Sequence, residues 1–312
     1  MGVICWHLAL NEKQCQRIIE SHPYTPMNNE TTFYTCLIEE RDDLSPFIQA
    51  YWAHAEEMGQ AIEMMLDVAK ENGLQRPFPR QCDPYDIKNL PDDIERSSDA
   101  AVFWTANRYA FPPGGKMLDL PVGIIASCIE GDHDIEEIEQ GFTVFPGDKL
   151  KTIAVNVGVD QLEVLYGKIL KLFPVYKVFW CLLHDHWNDD SSDLFFVNED
   201  LNSPDRIKAF IAENRANTIL NGYITLTSYL KEGATNINIS DHKRIIVRTY
   251  SNAVVDQIST LLESNELERK DSIVSIDAGI HHWHYRVRDS LEKEQMKALL
   301  KSLGFKPWTP GS

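Results

Sequence analysis

Several kinds of segment are missing from this 312-residue sequence, and each absence narrows its reading. No stretch approaches the roughly 20 consecutive apolar residues of a membrane-spanning helix. The opening Met1-Gly2-Val3-Ile4-Cys5-Trp6-His7 has neither a basic start nor an extended apolar run, so no secretory signal is expected. Trp6 stands where N-myristoylation wants serine or threonine. Cys5, Cys15, Cys36, Cys82, Cys128 and Cys181 form no C-x-x-C pair and are expected as reduced, mostly buried thiols of a cytoplasmic protein. No serine lies in a G-x-S-x-G elbow, and no G-K-S/T follows Gly114-Gly115 or Gly147. A nuclease-type D…E-x-K arrangement on a clean strand pair is missing too. Basic residues are in deficit, with 30 Lys and Arg against 47 Asp and Glu, a net charge of −17. Such a field disfavours nucleic acid and anionic membranes as direct partners and suits a basic protein, although it also serves solubility.

What is present is an ordinary globular mix, 43% apolar and 25% charged, long enough for two compact domains. The patterning predicts an α+β fold divided into residues 1–147 and 148–312. In the first part, Val3 to Leu10 and Thr32 to Glu39 read as strands, with a short helix from Asn11 to about Glu20. Ser45-Pro46 opens the longest helical pattern, in which Phe47, Tyr51, Met58, Ile62, Met65 and Leu66 fall at helical spacing before the stop at Asn72-Gly73. Arg76 to Ser98 is rich in Pro, Asp and Arg and reads as a long irregular connection. Ala101 to Thr105 reads as a buried strand. Phe111 to Gly115 is a turn, and Val122 to Ile129 is too short to separate helix from strand. Glu130 to Glu139 carries six acidic residues and reads as an exposed helix. The turn at Phe145-Pro146-Gly147-Asp148 marks the domain boundary.

The second part reads as two tandem βαββα-like units, about 148–216 and 217–312. Strands at Lys151 to Val157, Val175 to His184 and Leu194 to Val197 alternate with helices opening at Val159 and at Ser203-Pro204. Strands at Lys243 to Thr249, Ser272 to Asp277 and His282 to Val287, with helices around Val255 and from Leu291 to Ser302, repeat that order. Val159-Asp160-Gln161 and Val255-Asp256-Gln257 fall early in corresponding helices, a sign of internal duplication. Thr218 to Tyr229 and Asn236 to Ser240 form a hairpin turning through Lys231 to Ala234.

Two clusters could carry chemistry. His184-Asp185-His186, with Asp189 and Asp190 beside it, has the spacing by which a strand end offers two imidazoles to a metal. It departs from the H-x-H-x-D-H pattern of metallo-β-lactamase-type hydrolases, because Asn188 and Asp189 stand where Asp and His would be needed. A polar turn at a hairpin tip is the favoured reading of this cluster. In His281-His282-Trp283-His284-Tyr285-Arg286, His282 and His284 share one strand face while Trp283 and Tyr285 share the other. That strand could pack, bind a protein partner through Trp283, Tyr285 and Trp308, or bind metal. The acidic clusters, among them Glu130, Asp132, Asp134, Glu136 and Glu137, and then Asp185, Asp189 and Asp190 around Trp187, could present a negative surface to a cationic protein.

The C-terminal third resembles bacterial polymorphic-toxin immunity proteins. The residues that carry the likeness are Lys231 to Asn236, His281 to Tyr285 and Gly304-Phe305-Lys306-Pro307-Trp308. It is most similar to the α+β immunity family fifty-two, found beside toxins with a restriction-endonuclease-like domain, including type VI effectors. The resemblance implies a non-enzymatic, cofactor-free cytoplasmic inhibitor that occludes the active site of one basic toxin. A metal-dependent hydrolase using His184, His186, His282 and His284 is the alternative expectation. A scaffold or dimerisation module, with a homodimer as the assembly, is the second.

Overall fold

A computed structural model describes residues 31–41, 46–98, 101–110, 117–129, 131–147, 149–188, 192–231 and 234–308. The strand and helix expected over residues 3–20 and the turn at 111–115 lie outside them, as do Glu130, Asp189 and Asp190. The fold is α+β. Among the described residues, no helix is long and apolar enough to cross a membrane.

Along the chain come β1 (Thr32–Glu40), β2 (Phe47–Ala55), α1 (Met58–Glu71), β3 (Pro77–Pro84), β4 (Ile94–Arg96), β5 (Val102–Thr105), β6 (Tyr109–Ala110) and β7 (Ile124–Ala126). There follow β8 (Gly141–Phe145), β9 (Lys151–Asn156), α2 (Leu162–Lys171), β10 (Val178–Leu183), β11 (Leu194–Asn198), α3 (Pro204–Glu213), β12 (Ile224–Leu230) and β13 (Thr235–Ile239). The chain closes through β14 (Ile245–Thr249), α4 (Asn252–Ser264), α5 (Ile276–Gly279), β15 (His282–His284), α6 (Lys293–Ser302) and β16 (Lys306–Trp308).

These elements gather into two compact units. Among the described residues, one holds those of 31–110, 125–133 and 280–288; the other holds those of 117–124, 134–279 and 289–308. This division corrects the single cut at 147. The turn read there as a boundary joins β8 to β9, which pair antiparallel from Gly141↔Asn156 to Phe145↔Thr152.

The first unit is built on a sheet of order β15-β7-β3-β1-β2-β5-β4, with β6 paired to β2. The long helix expected from Ser45 is a strand followed by a shorter helix. Ile48 to Ala53 are all buried, and β2 pairs with β1 along its whole length. A strand covered on both faces is a continuous apolar run, and its i, i+4 coincidences imitate a helix. Arg76 to Ser98, expected to be irregular, contains β3. Pro79 is tolerated because the register with β1 shifts there, between Leu37 and Ile38, which face Gln81 and Pro79, and Pro77 and Pro84 stand at the two ends of the strand. The bulge takes up Arg80, whose guanidinium reaches buried Glu39 (2.5 Å). Gly59 lies where α1 meets the chain after β15: a Cβ there would stand 1.8 Å from the Arg286 carbonyl oxygen.

The second unit has a sheet of order β16-β11-β10-β12-β13-β14-β9-β8. Alternation sends Phe179, Cys181 and Leu183 of β10, Leu226 of β12 and Val247 of β14 to one face. There they share a core with Tyr166, Ile169, Ile207, Ile258 and Met296 of the helices. The N-cap of α3 is Ser203, whose hydroxyl accepts the Arg206 amide, and Pro204 follows at the first helical position.

The expected twin units are not separate: strands of both share this sheet, and β15, expected in the second, pairs in the other sheet. Gln161 caps α2, whereas Val255 to Gln257 lie inside α4, which is capped by Ser251. Ser272 to Asp277 is not a strand. Asn156 donates to the Val274 carbonyl (2.8 Å), and Arg244 donates to Ser275 Oγ and Asp277 Oδ1 (both 2.6 Å), so side chains from the sheet engage this segment. Within the described part of the acidic segment, 131–139, the regular structure is a single 3-10 turn, Ile135–Glu137, with Ile135 and Ile138 buried and Asp134, Glu136 and Glu137 exposed.

Candidate metal centre

β10 carries the first half of the centre. After Phe179, Cys181 and Leu183 face the helices, His184 continues the opposite series of Trp180 and Leu182. Its amide donates to the Tyr223 carbonyl (3.0 Å), the last such bond before the chain turns. Asp185 fixes the turn from both sides. Its amide donates to Asp193 Oδ1 (2.9 Å), and its own Oδ1 accepts the His186 amide (2.7 Å). Trp187 drops into the core and stacks on Tyr223, with centroids 5.6 Å apart and planes 16° from parallel. Asn188 then takes a positive φ of 76°, a conformation asparagine tolerates. Buried Lys293 of α6 donates to the carbonyls of both His184 and Trp187. The two imidazoles are left 5.0 Å apart, centroid to centroid.

The second half comes from the neighbouring strands. Asp241 follows β13, and its amide donates to Thr225 Oγ1 of β12 (3.0 Å). The same oxygen lies 2.8 Å from His184 Nε2, so the hydroxyl links the aspartate backbone to the first imidazole. Asp241 Oδ1 is 3.7 Å from His184 Nε2 and 3.0 Å from His242 Nδ1, and Oδ2 is 3.9 Å from His186 Nε2. Asp193 Oδ1 stands 3.7 Å from the far nitrogen of His184. Each of His184, His186 and Asp241 thus offers one ligand atom, all within 4.8 Å of one another.

Burial lowers both imidazoles below their ordinary range, against the pull of Asp241. The shift favours the neutral imidazole, which is the form that ligates a cation. Separations of 3.7 and 3.9 Å are too long for hydrogen bonds. They come within a few tenths of an ångström of the ~3.4 Å between ligands on a tetrahedral cation with bonds of about 2.1 Å.

Sequence reasoning found His184 and His186 but sought their carboxylate in Asp189 and Asp190. It missed Asp241, Thr225 and Lys293, for which the one local signal is the adjacent Asp241-His242 in a turn. His282 and His284 belong to the other unit, where their rings lie 5.2 Å apart on β15 and His282 Nδ1 is 2.9 Å from the Ile280 carbonyl. Among the expected partner-binding residues, Asp132, Asp134, Glu136, Glu137 and Asp185 are exposed. Trp187 and Tyr285 are corrections: they are 2% and 6% exposed and pack inside the protein. Large aromatic side chains fill cores as readily as interfaces. Trp283 is half-buried and donates from Nε1 to Asp83 (3.0 Å). Comparison with family models, curated proteins and solved structures finds no match to this chain.

Proposed function

We propose that this chain is a cytoplasmic immunity protein that binds and neutralises a basic bacterial toxin, with a nuclease as the partner that its charge fits best. In this reading it is an inhibitor and not an enzyme. The observation that carries the proposal is the acidic turn of the second unit. Ile135 and Ile138 are buried, and they hold Asp134, Glu136 and Glu137 outward on a chain of net charge −17. Such a ridge accelerates the capture of a cationic groove. Trp308 on edge strand β16, 39% exposed and stacked on Trp180, adds an aromatic anchor of the kind enriched at hot spots.

The test is capture from the native host with the full chain as bait, at low and high salt. A single basic partner released by salt, from whose toxicity the chain protects co-expressing cells, is the expected result. A captured toxin that still kills cells co-expressing this chain would refute neutralisation.

The second reading, a metal-dependent hydrolase, is favoured by the convergence of His184, His186 and Asp241. Turnover of a phosphodiester or ester substrate that disappears in His186→Ala would support it.

A further inference from the structure

We propose that His184, His186 and Asp241 form a binding site for one divalent transition-metal cation of the zinc class. The donor set is two imidazole nitrogens and one carboxylate, the combination that selects zinc, iron or cobalt over calcium or magnesium. His184 and His186 lie where β10 ends and turns, Asp241 lies in the turn after β13, and β12, which pairs with both strands, ties the two turns together through Thr225. Both turns are fixed by hydrogen bonds, from the Asp185 amide to Asp193, from Lys293 to the His184 and Trp187 carbonyls and from the Asp241 amide to Thr225, so the site is held in place before any ligand arrives.

The surroundings are those of a ligand set. His242 holds Asp241 Oδ1 through its Nδ1, while Oδ2 faces His186. Asp193 approaches the nitrogen of His184 that points away from the cluster, the position from which a carboxylate orients a metal-bound imidazole and raises its basicity. Lys293 pins the backbone on either side of His186. On loading, His184 Nε2 exchanges the Thr225 hydroxyl for the cation, and that hydroxyl keeps the Asp241 amide as its partner. Access is one-sided. The His184 and Asp241 side chains are 16% and 12% exposed, and that of His186 is 35% exposed, which leaves room for a water in the fourth position.

This site stands independently of toxin binding and of hydrolysis. Its test is titration of the metal-stripped full chain with Co2+, followed by visible ligand-field absorption, with Zn2+ as competitor. The expected result is saturation at one Co2+ per chain and displacement by Zn2+. His186→Ala and Asp241→Asn should each weaken binding by at least ~tenfold, with unchanged circular dichroism, whereas His133→Ala binds as the parent does. Absence of ligand-field bands in the parent chain overturns the proposal, as does Co2+ binding that both site variants leave intact. The parent titration needs no variant to fold, so it can overturn the proposal alone.

Discussion

The ammonium group of Lys293 lies 2.7 Å from the carbonyl oxygen of His184 and 3.1 Å from that of Trp187. A residue opening the last helix therefore holds the turn that carries both imidazoles. The side chain is almost completely buried, so water cannot replace it. Lys293→Met leaves two carbonyls without this donor and should lower stability by about 2–4 kcal/mol, read from urea unfolding. An unchanged midpoint would show that the turn holds without it.

In the first unit, Asp83 is a buried carboxylate that accepts from Ser127 Oγ, the Cys128 amide and Trp283 Nε1. Burial raises its carboxyl above the usual range, and these donors oppose that rise. Trp283→Phe keeps the ring and removes one donor. Thermal unfolding should register a loss of about 1–3 kcal/mol at neutral pH. The loss should shrink as acid protonates Asp83, because a neutral carboxyl depends less on that donor. A loss that stays constant with pH would assign Trp283 to packing alone.

Lys243 is buried and donates to the Asn221 carbonyl (2.5 Å). Desolvation brings its ammonium group down to about 7 from 10.5, although Asp241 pulls the other way. Between those values the unfolded chain keeps a proton that the folded chain gives up. Stability therefore rises with pH through this window, and the penalty is fully present below it. Lys243→Met lacks the titration, so the stability of the parent relative to the variant should rise by roughly 2 kcal/mol from pH 7 to 9. Urea melts at the two pH values check this, and a flat difference would contradict it.

Gly59→Ala should be strongly destabilising, because the new Cβ would meet the Arg286 carbonyl oxygen at 1.8 Å and the Tyr285 ring at 3.1 Å. A helix interior normally favours alanine by about 1 kcal/mol. Here the backbone itself must move, and a loss of about 3 kcal/mol or more is expected from calorimetry. A gain in stability would mean that α1 can slide away from this chain segment.

Much of the fold was legible where burial is one-sided. β10, β11, β13 and β14 alternate, α3 has its serine cap and proline, and these segments read correctly with ends shifted by a few residues. Reading failed where a segment is buried on both faces, as in Phe47–Ala55, or where a bulge rescues prolines, as in β3. It failed again at Ser272 to Asp277, whose apolar residues suggested a strand while its hydrogen bonds go to Asn156 and Arg244. Of the candidate centre, the two histidines were visible because they are close in sequence. Asp241 was not, because only the strand order β10-β12-β13 brings it beside them. Lys293 was hidden for the opposite reason: a lysine in a helix opening reads as a surface residue until its burial is known.

The interleaving of the two units bears on the order of events at the ribosome. Residues 280–288 belong to the first unit, where they supply edge strand β15 and the indole that donates to Asp83. An emerging chain can pair β1 with β2 early, yet Asp83 must wait for Trp283, by which time nearly all of the other unit has been made. Synthesis from the N-terminus cannot finish the first unit first, so the usual domain-by-domain sequence gives way to near-simultaneous completion of both.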